Sequence, residues 1–422
     1  MRKETLEPVF DQAWLARQPV FDLRKQVWGF ELLYREHPGD ERAVFNNEEQ
    51  QSESRELATL RVAACALLHR LQLTPEQRLL INFPLKAIVE DIPRVLPLAS
   101  TVLEIEEIAK PGNDVLEALR HLRSEGCLVA IDGYKGQPGC EALLEVADIL
   151  KVDVLGESPM RLKKLLDKHR SSPVTLLAKR VEDYRLYTLA RVLGFTLFQG
   201  YFFRRPEVVD ARRLSSSESA RLRLFRLIEH EDPDLEAVAR SIEADAGLSY
   251  RLLTYLNSPA MSLREEIESI EHAVAMLGWK QLRSWLRVVL LTDLTPPEKT
   301  SELPILSAQR ARFLQLAAGR AKAVAHDSEA LFLLGLFSLL DAMLSLPMKD
   351  LVLELPLSEE LKACLRGEVN ACSPWLELAA AFEDAAWDRV DELLSRLGLS
   401  HVAAARAYNE SLTWAVDFFQ GG

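Results

Sequence analysis

The sequence has no apolar run long enough to span a bilayer. The longest, such as Ala330–Leu340, is broken by Gly and Ser. The N-terminus holds four charges within ten residues (Arg2, Lys3, Glu4, Glu7) and no apolar core of a secretion signal. Cysteine is scarce, and Cys65, Cys127, Cys140, Cys364 and Cys372 form no C-x-x-C pair. An odd number at such spacings excludes a disulfide framework and a thiolate zinc site, and reads as reduced thiols in a cytoplasmic protein. Short-period repeats and low-complexity segments are absent. Positive charge is in the minority, 51 Lys and Arg against 63 Asp and Glu, a net charge of −12. That balance argues against broad binding to nucleic acid. What is present is ordinary for a globular chain: 422 residues, 48% hydrophobic and 27% charged. The length suits two or three domains.

The two halves differ in period. Up to about Pro206, short apolar runs alternate with helical patterns. The strand candidates are Val27–Tyr34, Leu79–Phe83, Thr101–Ile105, Cys127–Ile131, Ile149–Val154, Val174–Ala178 and Phe195–Phe203. Helical patterns lie between them at Ser54–Leu71, Pro111–Ser124 and Met160–His169. Strands that alternate with helices imply right-handed crossovers and a mostly parallel sheet. Runs that are apolar throughout imply burial on both faces. A further extended segment, Gln18–Asp22, faces Val27–Tyr34 across Leu23–Gln26 as a hairpin. The expectation is a TIM-like (β/α) barrel with an antiparallel first hairpin.

Beyond Pro206 the strand signal ends. Asp232-Pro233 predicts a helix start. Further helical patterns are Ser249–Leu256, Ile270–Leu277, Lys280–Leu291, Ser307–Ala325, Glu329–Leu344, Ser358–Arg366, Pro374–Ala385 and Trp387–Leu397. The fold class is therefore α/β plus all-α. The expected division is a barrel domain over 1–210, a polar junction over 211–220 and a helical domain over 221–422. Lys280, Arg283 and Arg287 share one predicted helix, and a basic helical face is ordinarily solvated. His326-Asp327 is expected to end a helical run.

In a parallel barrel, functional side chains project from the C-terminal ends of the strands. Here those ends carry Glu31, Arg35, Asn82, Glu104, Glu107, Asp132, Lys151, Asp153, Lys179, Glu182 and Gln199. One such carboxylate is ordinarily a helix cap. Recurrence at strand after strand points to a polar site. Glu31, Asn82, Glu104 and Asp132 at one mouth would suit a hard divalent cation such as Mg²⁺.

From about Gln18 to Pro206 the chain resembles an EAL domain, the barrel of cyclic di-GMP phosphodiesterases. Glu31-Leu32-Leu33-Tyr34-Arg35 resembles its E-x-L-x-R signature, and Ile81-Asn82-Phe83-Pro84 its Asn strand end. Leu103–Glu107 resembles E-x-x-E, Leu150–Asp153 resembles K-x-D, and Gln199-Gly200-Tyr201 resembles its Q-G-Y segment. The resemblance implies a single metal position at Glu31, Asn82, Glu104 and Asp132. It implies ligand contacts from Glu31, Arg35, Asn82, Lys151, Asp153 and Gln199. Two positions depart from it. The family's D-D-F-G-T-G loop reads Asp132-Gly133-Tyr134-Lys135-Gly136-Gln137, and its E-G-V-E reads Lys179-Arg180-Val181-Glu182. Gly133 and Lys179 thus stand where two acids of a second metal site belong. Trading two negative charges for a positive one opposes a second dication by several kcal/mol. On this ground the barrel is expected to be catalytically inactive, with Glu107 and Lys151 as vestigial catalytic groups and no cofactor required.

In the helical half, Ser241–Ser258 and Ile270–Gly278 resemble an HDOD domain, with the likeness covering about Glu229 to Leu351. Gly335–Asp341 resembles the G-L-L-H-D-x-G segment of related domains, with Ser338-Leu339 in place of the His-Asp pair. No metal-ligating pair remains there. The two resemblances imply a bacterial signalling regulator that responds to cyclic di-GMP and contacts a protein partner through the helical domain. A weak phosphodiesterase and a nucleotide-free scaffold remain the alternatives.

Overall fold

The computed structural model describes the chain except residues 1–13, 36–73, 75, 108–110, 170–171, 206–213, 231–232, 246–247, 253–277, 297–298, 322–326 and 421–422. The expected segments Ser54–Leu71 and Ile270–Leu277, and Cys65 and His326, lie outside the described residues. The chain divides into two units, 1–203 with 380–391, and 204–379 with 392–422.

The first unit is a closed eight-stranded barrel in sequence order. Its strands are β1 (Trp14–Phe21), β2 (Val27–Arg35), β3 (Arg78–Asn82) and β4 (Thr101–Glu106), then β5 (Leu128–Asp132), β6 (Ile149–Asp153), β7 (Thr175–Lys179) and β8 (Leu197–Gln199). β1 runs antiparallel to both β2 and β8, and all other neighbours are parallel. The hairpin turns where the sequence predicts. Asp22 accepts the amides of Arg24 and Gln26 on its Oδ1, and Lys25 takes a positive φ of 61°. The run Phe195–Phe203 yields only three strand residues. Gly200 ends it with φ 141°, where an added Cβ would lie 2.3 Å from the Val181 carbonyl oxygen. Only glycine lets the chain pass there.

The barrel is plugged by one residue from each of seven strands: Val20, Leu80, Val102, Ala130, Ile149, Leu177 and Leu197. Side chains alternate along a strand with period two. The residue two positions toward the mouth therefore points inward as well, one layer above the plug. Cys127 is buried at the base of β5, its thiol donating to the Thr101 carbonyl at 3.3 Å. Burial pushes that thiol up to about 12, which leaves it unreactive.

The second unit is helical. Its main helices are Ser216–Ile228, Leu235–Glu243, Trp279–Leu294, Glu302–Ala318, Ser328–Phe337 and His401–Gln420. Glu302–Ala318 packs against both Ser328–Phe337 and His401–Gln420. Gly335 permits the first contact, since a Cβ there would lie 2.6 Å from the Ala311 amide nitrogen. Several expectations shift. Residues 211–220 already include the first turn of Ser216–Ile228, whose capping box joins Ser215 and Glu218. The helix expected from Asp232-Pro233 begins at Leu235, with Asp234 accepting the Ala237 amide. Asp327 does not end a helix but stands at the N-cap position of Ser328–Phe337. Glu329–Leu344 is broken at Ser338-Leu339 into two helices. Arg287, expected on a solvated face, is 2% exposed. Its guanidinium donates to both Glu229 oxygens at 2.6 Å and to Glu329 at 2.8 Å. Such a pair, 58 residues apart, is invisible to local periodicity.

Asp341, just after the break at Ser338, is half-buried. Desolvation pushes its carboxyl up to about 6, against the opposing pull of the Ala342 amide and Arg310. The folded state thus holds this proton more tightly than the unfolded chain. The stabilising effect is complete below the unfolded value and is lost as pH rises to about 6. At neutral pH the ionised group costs about 3 kcal/mol, at about 1.4 kcal/mol per unit. Asp341→Asn keeps the acceptor for the Ala342 amide. It is expected to raise the Tm at pH 7.5 and to leave it unchanged near pH 4, as calorimetric melts would register. No single helix among the described residues is long and apolar enough to cross a membrane.

Candidate functional site

The layer above the plug is polar. Leu80, Val102, Ala130, Ile149, Leu177 and Leu197 are followed two residues later by Asn82, Glu104, Asp132, Lys151, Lys179 and Gln199. β1 runs the other way, so its equivalent of Val20 is Gln18, and Gln18 pairs in register with Glu31 of β2. The strands thereby bring together Glu31, Asn82, Glu104, Asp132, Lys151 and Gln199, the core of the set expected from the sequence. Gln18 was not foreseen. The alternation of β1, read in its antiparallel direction, carried that signal.

Lys151 sits at the centre, fully buried. Its ammonium lies 3.0 Å from Glu31 Oε2 and 3.8 Å from Asp132 Oδ1, and it also donates to Glu104 Oε1. Asn82 Nδ2 donates to Glu31 Oε1 at 3.2 Å and to Glu104 Oε2 at 3.1 Å. Gln199 Nε2 donates to Glu31 and, at 2.8 Å, to Gln18 Oε1. Burial works to raise the Glu31 carboxyl, but Lys151, Lys179 and Gln199 outweigh it and hold Glu31 low. Glu104 goes the other way. Its burial and the neighbouring Glu31 charge raise it well above the carboxylate range, despite Lys151. Lys151 itself is held protonated: burial opposes its charge, and Glu104, Glu31 and Asp132 overcome that. The two lysine ammonium groups thus offset negative charge from Glu31, Glu104 and Asp132 at the mouth.

Lys179 closes the arrangement in a way the sequence did not reveal. Its Nζ lies 2.9 Å from Asp132 Oδ1 and 2.7 Å from Oδ2. The ammonium thus occupies the Asp132 carboxylate. Beside it Gly133 has φ 66°, with nothing within 4 Å of an added Cβ. Glu107 does not reach this group. Its two oxygens accept the amides of Lys135 at 2.9 Å and Gln137 at 2.8 Å, and so clasp the loop after β5. Asp153 also stands apart, accepting the Leu155 amide at 2.9 Å and Arg180 Nη1 at 2.8 Å. The Arg35 side chain lies outside the described residues.

The donor set of Glu31, Asn82, Glu104 and Asp132 is chemically suited to one hard cation. Gln199 Oε1 adds a buried oxygen for which no hydrogen-bond partner occurs among the described residues. In the present arrangement, however, lysine ammonium groups satisfy the carboxylates. Among the described residues no three His, Cys, Asp or Glu side chains are set to hold a metal ion.

The comparisons with known proteins agree with this architecture. The HDOD domain family matches residues 214–341. The chain is 32% identical over 421 residues to cyclic di-GMP phosphodiesterase CdgJ of Vibrio cholerae, covering 99% of this chain and 95% of that protein. It is 30% identical over 410 residues to the uncharacterized protein YuxH of Bacillus subtilis, covering 96% and 98%. Among solved structures, the PaMucR phosphodiesterase in complex with c-di-GMP matches with 19% identity and a TM-score of 0.39, over 46% of this chain and 96% of that one. A standalone EAL protein of Vibrio cholerae O395 in its c-di-GMP-bound form matches with 23% identity and a TM-score of 0.36, over 46% and 91%. The end-to-end match to a protein named as a phosphodiesterase overturns the expectation of a catalytically inactive barrel. That expectation weighed only Gly133 and Lys179, whereas three carboxylates, Asn82 and Lys151 stay assembled at one mouth. With its barrel, its helical domain and relatives matched along nearly their whole length, the chain is an EAL–HDOD protein and belongs to the family that includes CdgJ and YuxH.

Proposed function

We propose that the barrel mouth binds cyclic di-GMP and slowly hydrolyses one of its phosphodiester bonds with a single divalent cation, and that the helical domain passes the state of the barrel to a partner protein. The observation that carries this reading is the Lys179–Asp132 pair inside an otherwise assembled ring of Glu31, Asn82, Glu104, Lys151 and Gln199. Glu31, Asn82, Glu104 and Asp132 would hold the cation, which when bound supplies Lewis-acid polarisation of a phosphoryl oxygen. Lys179, 27% exposed at the rim, offers a fixed positive charge to a non-bridging oxygen. Lys151 keeps Glu31 ionised and fixes its orientation. In the hydrolysis, water adds to phosphorus, one P–O ester bond breaks and the water's proton passes to a carboxylate. The freed ribose oxygen is protonated and a linear dinucleotide leaves.

Binding is separable from turnover. Titration calorimetry with cyclic di-GMP and Ca²⁺ is expected to show saturable one-to-one heat and a raised Tm, because a ligand of the folded state must stabilise it. Lys179→Ala is expected to weaken that binding by about tenfold, the usual scale of one charge-assisted contact. Absence of both heat and thermal shift would sink the proposal and favour a nucleotide-free scaffold.

A further inference from the structure

A cavity opens beside the mouth, lined in part by Gly133, Tyr134 and Lys135 of the loop after β5. Its volume is about 280 Å³. The floor and walls are apolar or aromatic: Tyr134, Val152, Leu162 and Leu165. The rim is basic. Lys135 comes from the loop, and Arg161, Lys164 and Lys168 come from the helical stretch after β6. Two acids also line it, Asp153 and Glu157. Both are already engaged, Asp153 by Arg180 at 2.8 Å and Glu157 by Arg161 at 3.0 Å. Four positive groups against two negative ones leave a net +2 in a chain whose net charge is −12. Among the described residues no hydrogen bond or ion pair engages the ammonium groups of Lys135, Lys164 or Lys168. All three line the same cavity.

We propose that this cavity binds a small phosphomonoester that carries a flat ring, of the size of a nucleoside monophosphate. The dianionic phosphate matches the surplus charge of the rim, and the ring matches the apolar lining of Tyr134, Val152, Leu162 and Leu165. The site is separate from the mouth and does not rest on hydrolysis there. It does adjoin the mouth through covalent structure. Gly133 and Lys135 line the cavity, and Asp132 is the residue before Gly133. Glu107 clasps the same loop through the amides of Lys135 and Gln137. An occupant therefore fixes the loop on which the Asp132 carboxylate is mounted.

The test titrates the full chain with GMP and, separately, with inorganic phosphate. GMP is expected to bind at least tenfold more tightly than phosphate. The exposed pair Lys164→Ala/Lys168→Ala is expected to weaken GMP at least tenfold with an unchanged Tm, while Lys179→Ala leaves GMP affinity as it was. Hydrogen exchange at the Lys135 and Gln137 amides is expected to slow when GMP is added. The proposal is overturned by no measurable GMP binding, by equal affinity for phosphate and GMP, by unchanged binding in the double lysine variant, or by binding lost only in Lys179→Ala, which would place the nucleotide in the mouth. Unaltered exchange of the loop amides with GMP bound would overturn the link to the loop.

Discussion

Gly133→Asp combined with Lys179→Glu is expected to raise the cyclic di-GMP turnover of this chain by on the order of a hundredfold, about 2.7 kcal/mol of transition-state stabilisation. The ground is charge and space together. Lys179 sets an ammonium 2.7–2.9 Å from both oxygens of Asp132, and its charge opposes a second dication at that carboxylate. Glu at 179 releases it and adds a ligand. Gly133 sits at φ 66°, a conformation that Asp tolerates better than most residues, and open space surrounds its Cβ position. A second cation would then activate the attacking water and share the charge developing on the phosphoryl group. The single changes are expected to fall far short. Gly133→Asp alone leaves the ammonium in place and gives it a second acid to pair with. Lys179→Glu alone sets a third acid beside Asp132 and Glu31 with no second cation ligand at position 133. Steady-state kcat with Mn²⁺ for the four proteins of this cycle measures the coupling. Additive or falling rates would count against a latent second metal position.

Lys151→Met is expected to cost the barrel about 3–5 kcal/mol at neutral pH, the scale for removing one partner from a buried ionic group. Lys151 and Glu104 are fully buried and Glu31 is 1% exposed, so water cannot replace the lost ammonium. At about 2–4 °C per kcal/mol for a domain of this size, the barrel's Tm should fall by roughly 10 °C. The dependence on pH has a definite sign. Without the ammonium, both glutamates are raised above their unfolded values, so the folded variant binds more protons than the unfolded one. Its stability is greatest below the ordinary carboxylate range and declines as pH rises. The deficit against the parent protein should therefore shrink on acidification and grow toward pH 8. A deficit that does not vary with pH would mean that packing, not charge, is what Lys151 contributes.

The barrel was legible because its signals are local. Runs such as Val102–Ile105 and Ile149–Val152, apolar but for Glu104 and Lys151, are short, buried and separated by helical patterns, and seven expected strands appear within one or two residues at their starts. Period-two alternation also makes part of the mouth legible, since it lifts Glu104 above Val102 and Lys151 above Ile149, whereas Glu107 and Asp153 lie past the strand ends' inner layer and pair elsewhere. What the sequence hid depends on contacts between distant segments. The Lys179 ammonium meets Asp132 across 47 residues, and Arg287 meets Glu229 across 58. Counting charges at positions 133 and 179 captured the loss of two acids but not the ion pair that replaces them. In the helical half, two long helices were also missed. Ser216–Ile228 begins inside a serine-rich stretch that reads as a linker, although its Ser215–Glu218 capping box was visible. His401–Gln420 is alanine-rich, and its buried Ala404, Ala405, Tyr408, Leu412 and Ala415 keep helical spacing without a strong apolar contrast.

The most direct measurement is single-turnover hydrolysis of cyclic di-GMP by an excess of the full chain with Mg²⁺ or Mn²⁺, read as linear dinucleotide over hours and set beside Glu104→Gln. The account predicts slow, cation-dependent product from the parent protein and none above background from the variant. Identical traces from the two proteins, with cyclic di-GMP left intact, would contradict it.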